Sequence, residues 1–317
     1  MSTLLFAMLG GIVLIGIVFA AAITLSSPKS PKAMEAITAP FRTMDVVALP
    51  PVSSYEARDG AKLAFRAYPS VDAKHAAVLI HGSSASGISM HTLAEYLQQK
   101  HIDVYVPDMR GHGESGRKGD IDYIGQLEDD LEDFTRQLLK TDKTLTLIGF
   151  SSGGGFALRF AASERQEIFD RYVALAPFIR YDAPTTRPNN GEWAHASVPR
   201  IVAISLMRTA GHKYLGHLPV IAFAIHPDMA DYATSAYSYR LWRNFALHDD
   251  YRADLKKIRQ PLTVMVGDQD ELFYPQQYLT LFADVQPHAE ISIVPGTGHV
   301  TLTMEPSAMA AIADNLH

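Results

Sequence analysis

No cysteine occurs among the 317 residues, which excludes disulfides, thiol nucleophiles and cysteine-ligated metals. Tryptophan is nearly as scarce, with two, and neither sign of charge dominates: 28 Lys and Arg stand against 34 Asp and Glu, a net charge of −6. Charges of both signs are interspersed, so no basic stripe exists and no nucleic-acid partner is expected. The 13 histidines show no His-Glu-x-x-His or similar close spacing. No metal centre is expected, and most histidines are read as structural or surface groups. Charge is also missing from one whole stretch, residues 4–25, which is apolar or small throughout.

That stretch is long enough for a helix to cross a hydrocarbon core at about 1.5 Å per residue, and it is read as a transmembrane anchor behind a short tail, residues 1–3. A cleaved signal peptide is the alternative, since Ala20-Ala21-Ala22 offers a small-residue cleavage site; the length of the run and the lack of a positive residue ahead of it argue against this. Lys29, Lys32 and Arg42 follow the span, so the positive-inside bias gives a single-pass membrane protein with its catalytic domain in the cytoplasm. Residues 26–53 contain Pro28, Pro31, Pro40, Pro50 and Pro51 with weak periodicity, the pattern of a tether.

From residue 54 onward the pattern is globular. Two β-like runs flank Asp59-Gly60, a hairpin signal. Short apolar strands are predicted over 76–80, 104–107 and 145–148, with helical patterns over 93–100 and 124–140 between them. The second of these helices is acidic and reads as a solvated face. Further strands at 172–177, 261–266 and 289–294 and a helix over 304–316 complete an α/β alternation, which implies a mostly parallel sheet with helices on both faces. The alternation stops over 178–251. There the apolar runs 201–207 and 220–225 are read as apolar helices packed on the core, with contact to a lipid chain or the bilayer as the alternative, and Trp193 and Trp242 carry the same ambiguity.

The stretch that carries chemistry is Gly149-Phe150-Ser151-Ser152-Gly153, between an apolar strand and a helical pattern. This is the sequence form of a nucleophile elbow, a tight turn that pushes the Ser151 hydroxyl out of the backbone. A neutral hydroxyl is a weak nucleophile and requires a base, and the base a carboxylate to hold its tautomer. His299, on a Gly-flanked loop after the last predicted strand, is the best base. Asp268 and Asp270 both stand at a strand end from which a carboxylate reaches toward it. The backbone N–H of Ser152, next to the nucleophile, is the first candidate for holding an oxyanion.

His81-Gly82, the loop Asp108-Met109-Arg110-Gly111-His112-Gly113-Glu114-Ser115 and the elbow, in that order, resemble the α/β-hydrolase superfamily, and within it the monoacylglycerol lipase, lysophospholipase and serine aminopeptidase group. The resemblance covers residue 54 to the C-terminus apart from the middle insertion, and implies an α/β-hydrolase fold in which residues 178–251 form a cap. It selects Asp270 over Asp268 through the family's Gly-x-x-Asp spacing from Gly267, and adds the N–H of Ser83 as a second oxyanion donor. It assigns His81, Arg110, His112 and Glu114 to ordering loops rather than to catalysis. The expected activity is cofactor-free hydrolysis of carboxylic esters, monoacylglycerol or lysophospholipid-like, by a Ser151-His299-Asp270 triad through an acyl-enzyme. An aminopeptidase would instead need a cap acid such as Glu192 or Asp228 for a substrate amine; a non-catalytic binding module would have no chemical need for all three triad residues.

Overall fold

The computed structural model describes residues 2–44, 48–139, 142–230 and 232–316. Helix α1 (Ser2–Thr24) forms over the charge-free stretch. The expected membrane-spanning anchor is not shown: among the described residues, no helix is long and apolar enough to cross a membrane. The side chains of residues 2–9, 12, 13 and 15 lie outside the described residues. Helix α1 also packs against a helix of the middle insertion instead of standing apart from the protein. The Pro-rich stretch after it is not open chain, because it contains the single turn α2 (Glu35–Thr38), continued by a 3₁₀ turn over Ala39–Thr43.

Strands β1 (Ser53–Glu56) and β2 (Lys62–Tyr68) form the expected antiparallel hairpin. Strand β3 (His75–Ile80), helix α3 (His91–Gln99), β4 (Ile102–Pro107), α4 (Gln126–Leu138), β5 (Thr144–Phe150), α5 (Ser152–Ala161) and β6 (Arg171–Leu175) then alternate. After the insertion come α8 (Tyr251–Lys256), β10 (Leu262–Gly267), α9 (Pro275–Val285), β11 (Glu290–Val294) and α10 (Pro306–Asp314), the insertion itself holding β7 (Ala194–Ala196), α6 (Val198–Thr209), β8 (Pro219–Phe223), β9 (Ala236–Ser238) and α7 (Tyr239–Asn244). The eight strands outside the insertion make one sheet in the order β1-β2-β4-β3-β5-β6-β10-β11, parallel from β4 to β11, with β2 antiparallel to both its neighbours.

Strands covered on both faces have no polar side to show, which is why Val78, Leu79, Ile80, Leu147, Ile148, Val264, Met265 and Val266 are all fully buried. Register positions the site. Ile80 pairs with Gly149, Phe150 with Leu175 and Gly267 with Val294, so the carboxyl ends of β3, β5, β6, β10 and β11 finish side by side. The loops leaving them converge on one crevice, the usual binding edge of an open parallel sheet.

Two local expectations differ from the structure. The run 220–225 is not a helix: Val220 and Ile221 lie in β8, the central strand of a three-stranded sheet in the order β7-β8-β9. β-Branched residues after Pro219 favour extended backbone, and pairing on both edges holds it. The acidic face of α4 is not wholly solvated either. Glu128, Asp130 and Asp133 are buried and paired with Arg159, Arg110 and Arg58 respectively, tying α4 to α5, to the loop after β4 and to the hairpin turn.

Candidate active site

The turn between β5 and α5 holds Ser151 at φ +55° and ψ −118°, a conformation that L residues rarely adopt. Hydrogen bonds hold it there: the Ser151 N–H donates to Leu175 O (2.8 Å), and its carbonyl accepts from the Gly155 and Phe178 N–H groups (3.0 and 2.9 Å). The two glycines are steric requirements. A Cβ on Gly149 would lie 2.1 Å from Gly153 O, and one on Gly153 would lie 2.4 Å from His81 O.

Across the crevice, the loop after β11 presents His299. Its Nε2 is 3.0 Å from Ser151 Oγ and its Nδ1 is 2.7 Å from Asp270 Oδ2. All three side chains are buried, and the imidazole packs against the rings of Phe150 and Phe273. The other carboxylate oxygen of Asp270 accepts the N–H groups of Leu272 and Phe273, both at 2.8 Å, so the acid is held from both sides. Asp268 is elsewhere: exposed, with Oδ1 accepting the Gly296 N–H at 2.8 Å. The arrangement can pass a proton from a serine hydroxyl to an imidazole whose tautomer is fixed by a carboxylate.

Ser83 and Ser152 sit on either side of Ser151, at the mouth of β3 and at the first turn of α5. Among the described residues, neither backbone N–H donates a hydrogen bond to protein. The loop that carries Ser83 is strongly braced. His81 Nε2 accepts the Met109 N–H (3.1 Å), which puts the proton on Nδ1, directed to Gly82 O (2.8 Å). Asp108 accepts the N–H groups of Gly87 (2.7 Å) and Glu114 (2.9 Å), and Arg110 binds Asp130 through two nitrogens. His81, Asp108, Arg110 and His112 therefore order backbone and do not face Ser151. Burial pushes the His81 imidazole pKa down and that of His112 far down, so both are neutral.

Several contributors carry no sequence motif. Tyr237 of β9 accepts the Ser84 N–H at 2.6 Å. Glu271 accepts the His299 N–H at 2.7 Å; its place beside Asp270 is the only hint the sequence offers. Arg187 donates to the carbonyls of Asp270 and Phe273, bracing the acid loop. Trp193 donates to Ser83 Oγ at 2.9 Å and lines both cavities that meet at Ser151.

The first cavity, of about 80 Å³, is bounded by Ile37, Phe41, Met229, His299 and Val300; the second, of about 50 Å³, by Phe178, Ile221, Phe223, Trp242 and Phe273. The second shares Phe178, Ile221 and Trp242 with a wider groove of about 940 Å³ under α6. Among the described residues, no Asp, Glu, Lys or Arg lines either cavity. Glu192 and Asp228 are outside both, and Asp228 instead faces His226 at 3.1 Å.

The sequence pattern of the serine aminopeptidase S33 hydrolases matches residues 71–307, three quarters of the chain. The chain belongs to this family. An N-formylmaleamate deformylase from Pseudomonas putida is 24% identical over 229 residues, 71% of this chain and 82% of that protein. Among solved structures, a soluble variant of monoglyceride lipase from Saccharomyces cerevisiae, bound to a substrate analogue, superimposes with a TM-score of 0.60 at 18% identity, covering 84% of this chain and 94% of that one. A monoacylglycerol lipase from Paleococcus ferrophilus gives 0.59 at 19% identity, covering 80% and 98%. At these identities the structural likeness establishes the α/β-hydrolase fold, and the family membership establishes a hydrolase.

Proposed function

We propose that the protein is a serine hydrolase that cleaves carboxylic esters of lipid-like substrates, with uncharged monoacylglycerols favoured over lysophospholipid-like esters, whose headgroup is ionic. The observation that carries this reading is the hydrogen-bonded line from Ser151 Oγ through His299 to Asp270, at 3.0 and 2.7 Å. Ser151 attacks the ester carbonyl as its proton moves to His299 Nε2. Asp270 keeps the other ring proton on Nδ1 and stabilises the imidazolium. The N–H groups of Ser83 and Ser152 receive the charge that develops on the carbonyl oxygen, and the positive end of α5 adds to them. His299 then gives its proton to the departing alcohol, and water repeats the sequence on the acyl-enzyme to release the acid.

Among the described residues no Asp, Glu, Lys or Arg lines either cavity, the ionisable side chains there being His226 and His299 of the first; this supports a neutral substrate, because an ionic end group left unpaired there would lose its hydration without replacement. The same lining also counts against an aminopeptidase, whose substrate ammonium needs a carboxylate that neither cavity supplies. The test is hydrolysis of p-nitrophenyl esters of increasing acyl length by the full-length chain. Activity that rises with chain length and disappears in Ser151→Ala is expected. Absence of turnover together with absence of fluorophosphonate labelling would overturn the reading.

A further inference from the structure

We propose that Ile37, Thr38 and Phe41, in the turn that precedes the hydrolase domain, form the wall of the leaving-group side of the site and select which alcohol portion is accepted. The chemical half of this inference rests on the ester-hydrolase reading above. The family match begins only at residue 71, yet these three residues line the same cavity as Ser151 and His299. Ile37 and Thr38 are 7% and 5% exposed, and Phe41 packs against the main core, so the segment is built into the domain rather than draped over it.

Its attachment is to the cap. The Met34 N–H donates to Ala224 O at 3.4 Å, and the Lys29 N–H donates to His195 Nδ1 at 3.1 Å. Arg200 of α6 donates to Ser27 Oγ at 2.7 Å. Glu35 binds Arg42 through both oxygens, at 2.8 and 3.2 Å, and lies 3.5 Å from His226 Nε2 of the cap. These ion pairs are exposed and contribute little stability individually, so the apolar contacts of Ile37 and Phe41 are what close the wall.

The side of the substrate it faces follows from proton transfer. A general acid must lie within hydrogen-bond reach of the oxygen it protonates. His299 and Val300 line this cavity and not the second one, so the departing alcohol lies here and the acyl group extends into the second cavity, toward the groove under α6. Thr38 adds little polarity, because its hydroxyl is engaged with Met34 O at 3.0 Å. The segment therefore favours an apolar or uncharged alcohol portion.

The experiment compares two series on the full-length chain: butyrate esters of ethanol, p-nitrophenol and 2-naphthol, and p-nitrophenyl esters of acetate, butyrate and octanoate. Ile37→Phe fills the cavity and is expected to lower the naphthyl-to-ethyl ratio of kcat/KM by about tenfold, the scale on which a pocket discriminates one side-chain-sized group. Phe41→Ala enlarges it and is expected to raise the same ratio, a direction that misfolding does not produce. The octanoate-to-acetate ratio is expected to stay within about twofold in both. Movement of the acyl ratio instead, or no movement of either, would overturn the assignment. Calorimetric binding of 2-naphthol to Ser151→Ala, with and without Ile37→Phe, decides the wall separately from turnover. Weaker binding with Phe at 37 is expected even if no ester is cleaved, and equal binding would overturn the wall.

Discussion

The Tyr237 hydroxyl of the cap lies 2.5 Å from Nε2 of His112, in the loop after β4. His112 Nδ1 is directed to Met109 O at 3.2 Å, so its Nε2 accepts the tyrosine proton, and the tyrosine oxygen in turn accepts the Ser84 N–H at 2.6 Å. The Thr234 N–H reaches Ser84 O at 2.7 Å, so the cap holds both polar backbone groups of Ser84, a non-glycine residue at φ +68°. The cap thus fixes the loop that carries Ser83 and Ser84 as well as lining the cavities at Ser151.

Replacing Tyr237 with Phe leaves the Ser84 N–H and His112 Nε2 unpaired in a buried place, at about 1–3 kcal/mol for each group. Lower stability is expected together with a fall of about tenfold or more in kcat, with KM little changed, because the loop is needed most when charge develops on the oxyanion. Urea denaturation and steady-state kinetics on the same preparations check this.

Ser151→Ala and His299→Ala are each expected to reduce kcat by about 10⁴-fold or more, and the double variant by little beyond the single ones, because residues of a triad act as a unit. Asp270→Asn is expected to cost about 10³–10⁴-fold. Asp268→Asn, at an exposed turn, is expected to stay within about threefold of the parent. Comparable losses in the two aspartate variants would reverse the assignment of the acid.

Glu271 holds the backbone of His299 and does not touch the ring. Glu271→Ala is expected to lower kcat by about tenfold, and Glu271→Gln, which keeps a carbonyl acceptor, is expected to restore most of it. Equal loss in both would show that the charge matters and not the hydrogen bond.

Acid stability is expected to report the buried imidazoles. His112 is held far below the ordinary histidine value of 6.5 by burial, and His81 is lowered by the same cause. Between pH 6.5 and the folded values, the unfolded chain binds protons that the folded one does not, so stability is full above pH 6.5 and falls on acidification. A histidine protonated only in the unfolded chain, as His112 is in this window, contributes a slope of up to about 1.4 kcal/mol per pH unit. In urea denaturation between pH 7 and 5, His112→Gln is expected to remove one such slope, whatever it costs at neutral pH.

How much of this was legible in the sequence depended on whether the cause was local. The strand, tight turn and helix around Ser151 follow from residues within ten positions of it: β-rich runs favour extension, and only glycine fits at 149 and 153. The hairpin at Asp59-Gly60 and the buried strands β3, β5 and β10 are local in the same way. The run 220–225 is not legible as a strand because a short apolar run has no period that separates helix from strand, and β8 is decided by pairing with β7 and β9. The charges of α4 were misread because their arginine partners come from three other elements.

Local chemistry along the chain is enough for the α/β order, the glycine-enforced turn at Ser151 and the presence of a histidine and two aspartates on loops at strand ends, since backbone sterics and side-chain alternation act over a few residues. The geometry by which Asp270 meets His299, the cap residue that holds the loop after β3 and the side chains that wall the crevice are set by the tertiary structure. Tyr237 reaches Ser84 across 153 positions, and Ile37 lines the cavity at Ser151 from outside the stretch that matches the family. Such contacts leave no periodicity in the chain, because they depend on where separate elements come to rest and not on what either segment prefers alone.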